Sequence, residues 1–241
     1  LQLDVTHHLI QRLATSSSDS SIKIHSLGYE YSQSKLKAVK GEIVKTFVNR
    51  DKSTGTVRNP TCLAWLNNNS IVNGYNNLDS LSTWDLNQEK LVESYRYSTE
   101  LYSNTVRTQT NKIVVNSIMG LLVCAHEDNC VRAFDIASSS YYPDSRKSGE
   151  EAVAADSVSC LAVSQRNRWC LFAGSHDGTV KVWDLRKNLC IEELSNVHLK
   201  KYDECIRSLL YIDELCSIVT GISIIMQPVL TGSSRSSKPD F

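Results

Sequence analysis

The sequence predicts an all-β chain made of repeated, four-stranded antiparallel meanders. Three observations predict it. Asp177-Gly178 is a two-residue hairpin signal, because glycine takes the positive φ that such a turn demands. The run that follows, Thr179-Val180-Lys181-Val182-Trp183, is β-branched or aromatic in four of five positions, which suits a strand covered on both faces. The arrangement of turn acid, aromatic six residues later and aspartate immediately after (Asp177, Trp183, Asp184) then recurs along the chain, each time with an apolar strand upstream.

Taken in order, the first unit (1–27) is partial. RLATSSSDSSIKIHSL keeps Asp19 six residues before His25, with histidine in place of the aromatic and Ser26 in place of the aspartate. Residues 28–58 read as a basic loop insertion with an outer strand. They hold 7 lysines and arginines (Lys35, Lys37, Lys40, Lys45, Arg50, Lys52, Arg58) against 3 acids (Glu30, Glu42, Asp51). In the unit 59–104 the upstream strand is Cys62-Leu63-Ala64-Trp65 and the dipeptide is Trp84-Asp85, but Asp79 lies five residues before the tryptophan, so the turn is altered. The unit 105–156 carries Ile113-Val114-Val115, then Asp128, Phe134 and Asp135, then the serine-rich insertion SSSYYPDSRKSGEEA. The unit 157–200 holds the opening template and ends near His198. A partial last unit (201–227) continues from Ile206 through Cys216-Ser-Ile-Val-Thr-Gly221 and then loses the pattern, and the serine-rich end (228–241) reads as disordered.

A small meander cannot bury both faces alone, so its neighbours must cover them, and radial stacking of such sheets is a β-propeller. The expected architecture is an incomplete propeller of about four to five blades. Each turn acid should accept hydrogen bonds within its blade. Each aromatic should fill the wedge between sheets while its polar edge meets a partner.

Bulk properties narrow the function. With 26 basic and 26 acidic residues the formal charge is zero, which gives no global attraction to nucleic acid or anionic lipid. No apolar run approaches the ~20 residues of a membrane-spanning helix. Eight cysteines without a stapled mini-protein spacing or a signal peptide read as reduced thiols of an intracellular, cytoplasmic protein, most of them beside valine, leucine or isoleucine as small core residues. A chain that opens on Leu1 inside a strand-like stretch reads as a fragment of a longer polypeptide.

The units resemble WD repeats, and the last three resemble the C-terminal propeller of striatin-family proteins. The residues that carry this are CAHEDNCVRAFD (124–135), SVSCLAVSQRNRWCLFAGSHDGTVKVWDL (157–185), and CIEEL followed by VHLKKYDECIRSLLY (190–211), whose charged stretch between blades is similar to a striatin peculiarity. The resemblance implies a non-catalytic scaffold that brings protein phosphatase 2A together with germinal-centre-type kinases. The family's coiled-coil, caveolin-binding and calmodulin-binding segments lie upstream of its propeller and are not in these residues. Two departures stand out: Ala154-Ala155 replaces the usual glycine-histidine, and GISIIMQPVLTGSSRSSKPDF does not continue the last blade as the family would.

Asp19, Trp84, Asp85, Asp128, Phe134, Asp135, Asp177, Trp183, Asp184 and His198 are accordingly expected to be structural repeat positions. Lys200, Lys201, Tyr202, Asp203 and Glu204 are the partner-binding candidates, because a charged loop on a rigid frame is a common place for recognition. The basic residues of 28–58 read as a solvated face rather than a contact for an acidic partner. Cys124, His126 and Cys130 have metal-like residue types, but no second ligand pair stands at a zinc-finger spacing, so they read as core cysteines with a turn histidine in an alternating strand. Cys170 or Ser175 beside His176 and Asp177 cannot form a triad from adjacent positions, and no phosphate-cradling glycine loop is present. No catalytic residue, cofactor, metal, nucleic acid, membrane insertion or small-molecule substrate is expected. Two other readings remain: a substrate receptor or subunit of another complex such as a ubiquitin ligase, and an enzyme with its site in the central channel.

Overall fold

The computed structural model describes residues 11–32, 35–48, 55–97, 107–141, 152–153, 156–187, 189–195, 197 and 204–224. The chain is all-β, with no helix among these residues, and its antiparallel sheets form an incomplete WD-type propeller. The first sheet holds β1 (Gln11–Ser16), β2 (Ser21–Ser32) and β3 (Lys35–Val48). The second is β4 (Pro60–Asn67), β5 (Ser70–Tyr75), β6 (Ser80–Asp85) and β7 (Lys90–Arg96) in chain order. The third runs β8 (Thr110–Asn116), β9 (Leu121–His126) and β10 (Cys130–Asp135), edged by β11 (Ser140–Tyr141) and β12 (Ala152–Val153). The fourth is β13 (Val158–Val163), β14 (Cys170–Ser175), β15 (Val180–Asp184) and β16 (Leu189–Leu194); the fifth pairs β17 (Glu204–Ile212) with β18 (Ser217–Ile224).

The sheets stack in chain order, β1 against β4, β4 against β8, β8 against β13 and β13 against β17. Apolar layers fill each gap. Ile22, Ile24 and Phe47 meet Ile71, Trp84 and Leu86 between the first two sheets. Leu81, Tyr95 and Tyr97 meet Leu122 and Phe134 between the next two, and Leu121, Val123 and Val131 meet Leu161, Leu171 and Trp183 beyond them. Because a middle sheet is covered on both sides, its second strand has no wet face, and all six residues of β9 are buried. That removes the alternation expected around Cys124 and His126.

Strand pairing defines two local features. Residues 28–48 are mostly hairpin rather than loop: β2 and β3 pair from Ser21↔Val48 to Ser32↔Lys35, with bulges near Ile24/His25 and Glu30/Tyr31. The outer strand is thus longer than composition suggests, because exposed Ile43, Val44 and Val48 keep β propensity between the charges. In the third sheet the outer edge is split, β11 pairing Phe134 and Asp135 while β12 pairs Cys130 and Val131, so the serine-rich insertion interrupts one edge strand and rejoins it.

Candidate interaction site

Four inner strands begin with the same irregularity. The registers skip one residue between Pro60 and Cys62, Thr110 and Lys112, Val158 and Cys160, and Ile206 and Ser208, so Thr61, Asn111, Ser159 and Arg207 are bulged out of their ladders. A bulge re-aims its side chain, here toward the next sheet. Thr61 Oγ1 donates to Thr110 O at 2.6 Å, Asn111 Nδ2 to Val158 O at 2.7 Å, and Ser159 Oγ to Ile206 O. Each acceptor is the residue just before the next bulge. A relay of hydrogen bonds therefore ties the second sheet to the third, the third to the fourth and the fourth to the fifth.

The relay lines a polar cleft of about 260 Å3, completed by Gln109, Glu127, Ser157 and His176. Gln109 Nε2 donates to Asn111 Oδ1 at 2.9 Å, and the turns that carry Glu127 and His176 are pinned alike, Glu127 N to Gln109 O at 3.0 Å and His176 N to Ser157 O at 2.9 Å. Arg207 Nη1 lies 3.5 Å from His176 Nε2 and, with Glu127, puts one acid and one permanent cation at the rim. A larger open hollow of about 660 Å3 lies by Arg12, Trp65 and Asn67–Asn69, away from the relay. The cleft offers amide, hydroxyl and charged groups on fixed backbone, which suits hydrogen bonding to a peptide.

The turn acids of the repeat sit at the same end of the hairpins, Asp128 and Asp177 each one residue beyond a cleft residue, whereas Asp85, Asp135 and Asp184 lie at the other end. Asp19 Oδ1 accepts from Ser21 N (2.9 Å) and Oγ (2.6 Å), Asp177 Oδ1 from Thr179 N (2.8 Å) and Oγ1 (2.6 Å), and Asp128 from Cys130 N (3.3 Å). Each acid thus closes its own tight turn. Asp128 also takes both Nη groups of the buried Arg132, at 3.0 and 2.8 Å; burial works to raise its carboxyl, but Arg132 outweighs it and holds the group below the usual range. The Asp79 carboxylate, five residues before Trp84, accepts from Ser80 Oγ at 3.5 Å, and its carbonyl accepts from Tyr97 N at 2.7 Å. Asp85, Asp135 and Asp184 each accept the backbone N–H two or three residues on, from Asn87, Ser138 and Arg186.

The aromatics occupy one register: Trp84 opposite Ile71, Phe134 opposite Leu122, Trp183 opposite Leu171, with His25 opposite Leu13. Each of the three aromatics packs between its own sheet and the one before. The expected partner for the polar edge is missing at Trp84, whose buried Nε1 meets none among the described residues, because the wedge around it is apolar. His198, Lys200, Lys201, Tyr202 and Asp203 lie outside the described residues, and Glu204 opens β17 opposite Ile224.

His126 is not a turn residue. It ends β9 fully buried, its ring 4.6 Å from that of Tyr97, and burial together with Arg132 pushes its pKa down to about 3. Cys124 and Cys130 are buried, and burial lifts the Cys124 thiol well above its usual value and that of Cys62 to about 12. No group of three potential metal ligands occurs among the described residues. Ser175 Oγ donates to Asp156 O (3.1 Å) and Ser157 O (3.2 Å), and Cys170 lies at the far end of β14, roughly 17 Å of strand away. No described helix is long and apolar enough to cross a membrane.

The bulge residues were not singled out from the sequence, although a signal was there. A polar residue precedes each inner apolar run in T-CLAW, N-KIVV, S-CLAV and R-SLLY, and only superposing the units reveals it.

Among known proteins, residues 152–184 match the family described as WD domain, G-beta repeat. The chain is similar to the Striatin homolog of Dictyostelium discoideum, 26% identical over 60% of this chain and 17% of that protein. It is 32% identical to Striatin-4 of Homo sapiens over 42% of this chain and 12% of that protein, and 27% identical to human Striatin over 47% and 14%. The matched stretch is thus less than a fifth of the length of these curated relatives.

Proposed function

We propose that this striatin-like WD-repeat region is a non-catalytic protein-interaction scaffold, a frame that presents partner surfaces and makes or breaks no bond itself. The relay-lined cleft carries the reading. Its side chains hold sheets together and offer hydrogen bonds to a bound chain. Rigid sheets joined this way hold bound proteins at fixed separations, which raises their effective concentration toward each other. Similarity to striatins supports phosphatase 2A and germinal-centre-type kinase subunits as the partners, in the cytoplasm. The repeat aspartates and aromatics serve the frame, and Lys200–Glu204 supply a further contact loop.

The test is recovery of partners from cells on the tagged chain, read by mass spectrometry. Phosphatase 2A and kinase subunits are expected, reduced by Arg207→Glu at the cleft rim. Recovery of cullin-type adaptors in their place would favour a ubiquitin-ligase receptor instead.

A further inference from the structure

We propose that the surface formed by Arg166, Arg168, Trp169, Arg186 and Lys187 is a docking site for an acidic peptide segment of a partner protein. It lies at the other end of β13 and β14 from the cleft, where the turn 164–169 meets the turn after β15.

The turn is fixed from several sides. Asp213, from the β17–β18 turn, accepts Gln165 N at 2.8 Å, Arg166 N at 3.2 Å and the Ser164 hydroxyl. Asn116 Nδ2 of the third sheet donates to Arg168 O at 2.7 Å, and Leu185 N to Trp169 O at 2.9 Å. On this frame the guanidinium carbons of Arg168 and Arg186 lie 5.3 and 5.4 Å from the Trp169 ring centroid. Ring contact orients a guanidinium, and at Arg168 it leaves the N–H fork open to a carboxylate, while the Arg186 fork is closed on Asp184.

The local acids neutralise the patch only in part, and the open cations are Arg168 and Lys187. Asp184 is taken by Arg186, at 2.6 and 3.0 Å, and Asp213 is buried on the turn amides. Glu214 reaches only Arg166, at 3.9 Å with both side chains mostly exposed, a pair of little strength. Arg168 and Lys187 are exposed and have no carboxylate at ion-pair distance among the described residues. Exposed, oriented cations around a half-buried indole match the residue types that dominate protein interfaces. The partner is a peptide rather than a nucleic acid because the chain has no net positive charge to gather a phosphate backbone.

The inference rests on the scaffold reading only in taking the partner to be a protein. Its test needs no phosphatase or kinase, so the two fail separately. Binding of a labelled oligoglutamate peptide is measured by anisotropy on the full chain fused to a solubility carrier, with the carrier alone subtracted. Salt-sensitive binding is expected, weakened about tenfold or more by Arg168→Glu with Lys187→Glu and unchanged by Lys90→Glu on the second sheet. Arg168→Gln, a milder change, should weaken it in the same direction, and near-UV circular dichroism identifies any variant that has lost its packing. Absence of peptide binding at low salt, equal loss with Lys90→Glu, or preference for a single-stranded oligonucleotide of matched charge would overturn the proposal.

Discussion

At the scale of single residues, carboxylates and glycines do the most specific work. The Asp184 carboxyl is held at about 2 by hydrogen bonds from the Arg186 side chain. Its unfolded value is near 3.9, so the stabilisation it gives is complete above about pH 4 and is lost as pH falls toward 2. Asp184→Asn should lower the melting temperature at pH 7, and the gap to the parent should close across that window; a gap that stays constant with pH would contradict the linkage. Gly174 is demanded by contact rather than by backbone angle. A Cβ there would lie 2.6 Å from Cys160 Sγ and 2.8 Å from Ile206 Cγ2, where the fourth sheet presses on the fifth. Gly174→Ala should cost about 1–3 kcal/mol by chemical denaturation, whereas a cost near zero would mean that the sheets separate freely. Gly74 meets Cys62 and Thr110 in the same way two gaps earlier, at 2.7 Å each.

At the scale of elements, the hairpins were legible and their joints were not. The acid, aromatic and aspartate spacing located β6, β10 and β15 because turn chemistry and β propensity are local properties written in consecutive residues. The bulges at Thr61, Asn111 and Ser159 depend on carbonyls about fifty residues away, so nothing nearby in the chain reports them. The same blindness hid the burial of His126, against which Tyr97 packs from just beyond the end of β7. The charge of 28–58 misled in the other direction, because a two-stranded edge hairpin tolerates lysines that a buried strand would not. If the relay joins elements as described, Asn111→Ala should destabilise by roughly 1–3 kcal/mol, since Val158 O loses its donor in a partly closed site. Lys112→Ala, next to it but exposed, should change stability little; equal effects at both positions would deny the bulge any special role.

At the scale of the whole molecule, the described first sheet has three strands and the last has two, while the second and fourth have four. The fifth sheet exposes Leu210, Leu215 and Val219, each more than half accessible, and among the described residues its β18 pairs with β17 alone. Apolar surface next to open ladder groups is an aggregation template. The chain expressed alone should therefore self-associate and melt broadly, and a sharp, cooperative, concentration-independent transition by calorimetry would refute that.

The acceptors Thr110, Val158 and Ile206 fall 48 residues apart in both steps, although the chain between them follows different routes at the outer edge. Pitch is thus metered at the hub, and the rim is free to vary in contour. Lengthening the stretch between β11 and β12 should leave the spokes where they are, whereas inserting a single residue between Thr110 and Asn111 would uncouple the tooth that Thr61 engages from the one that engages Val158.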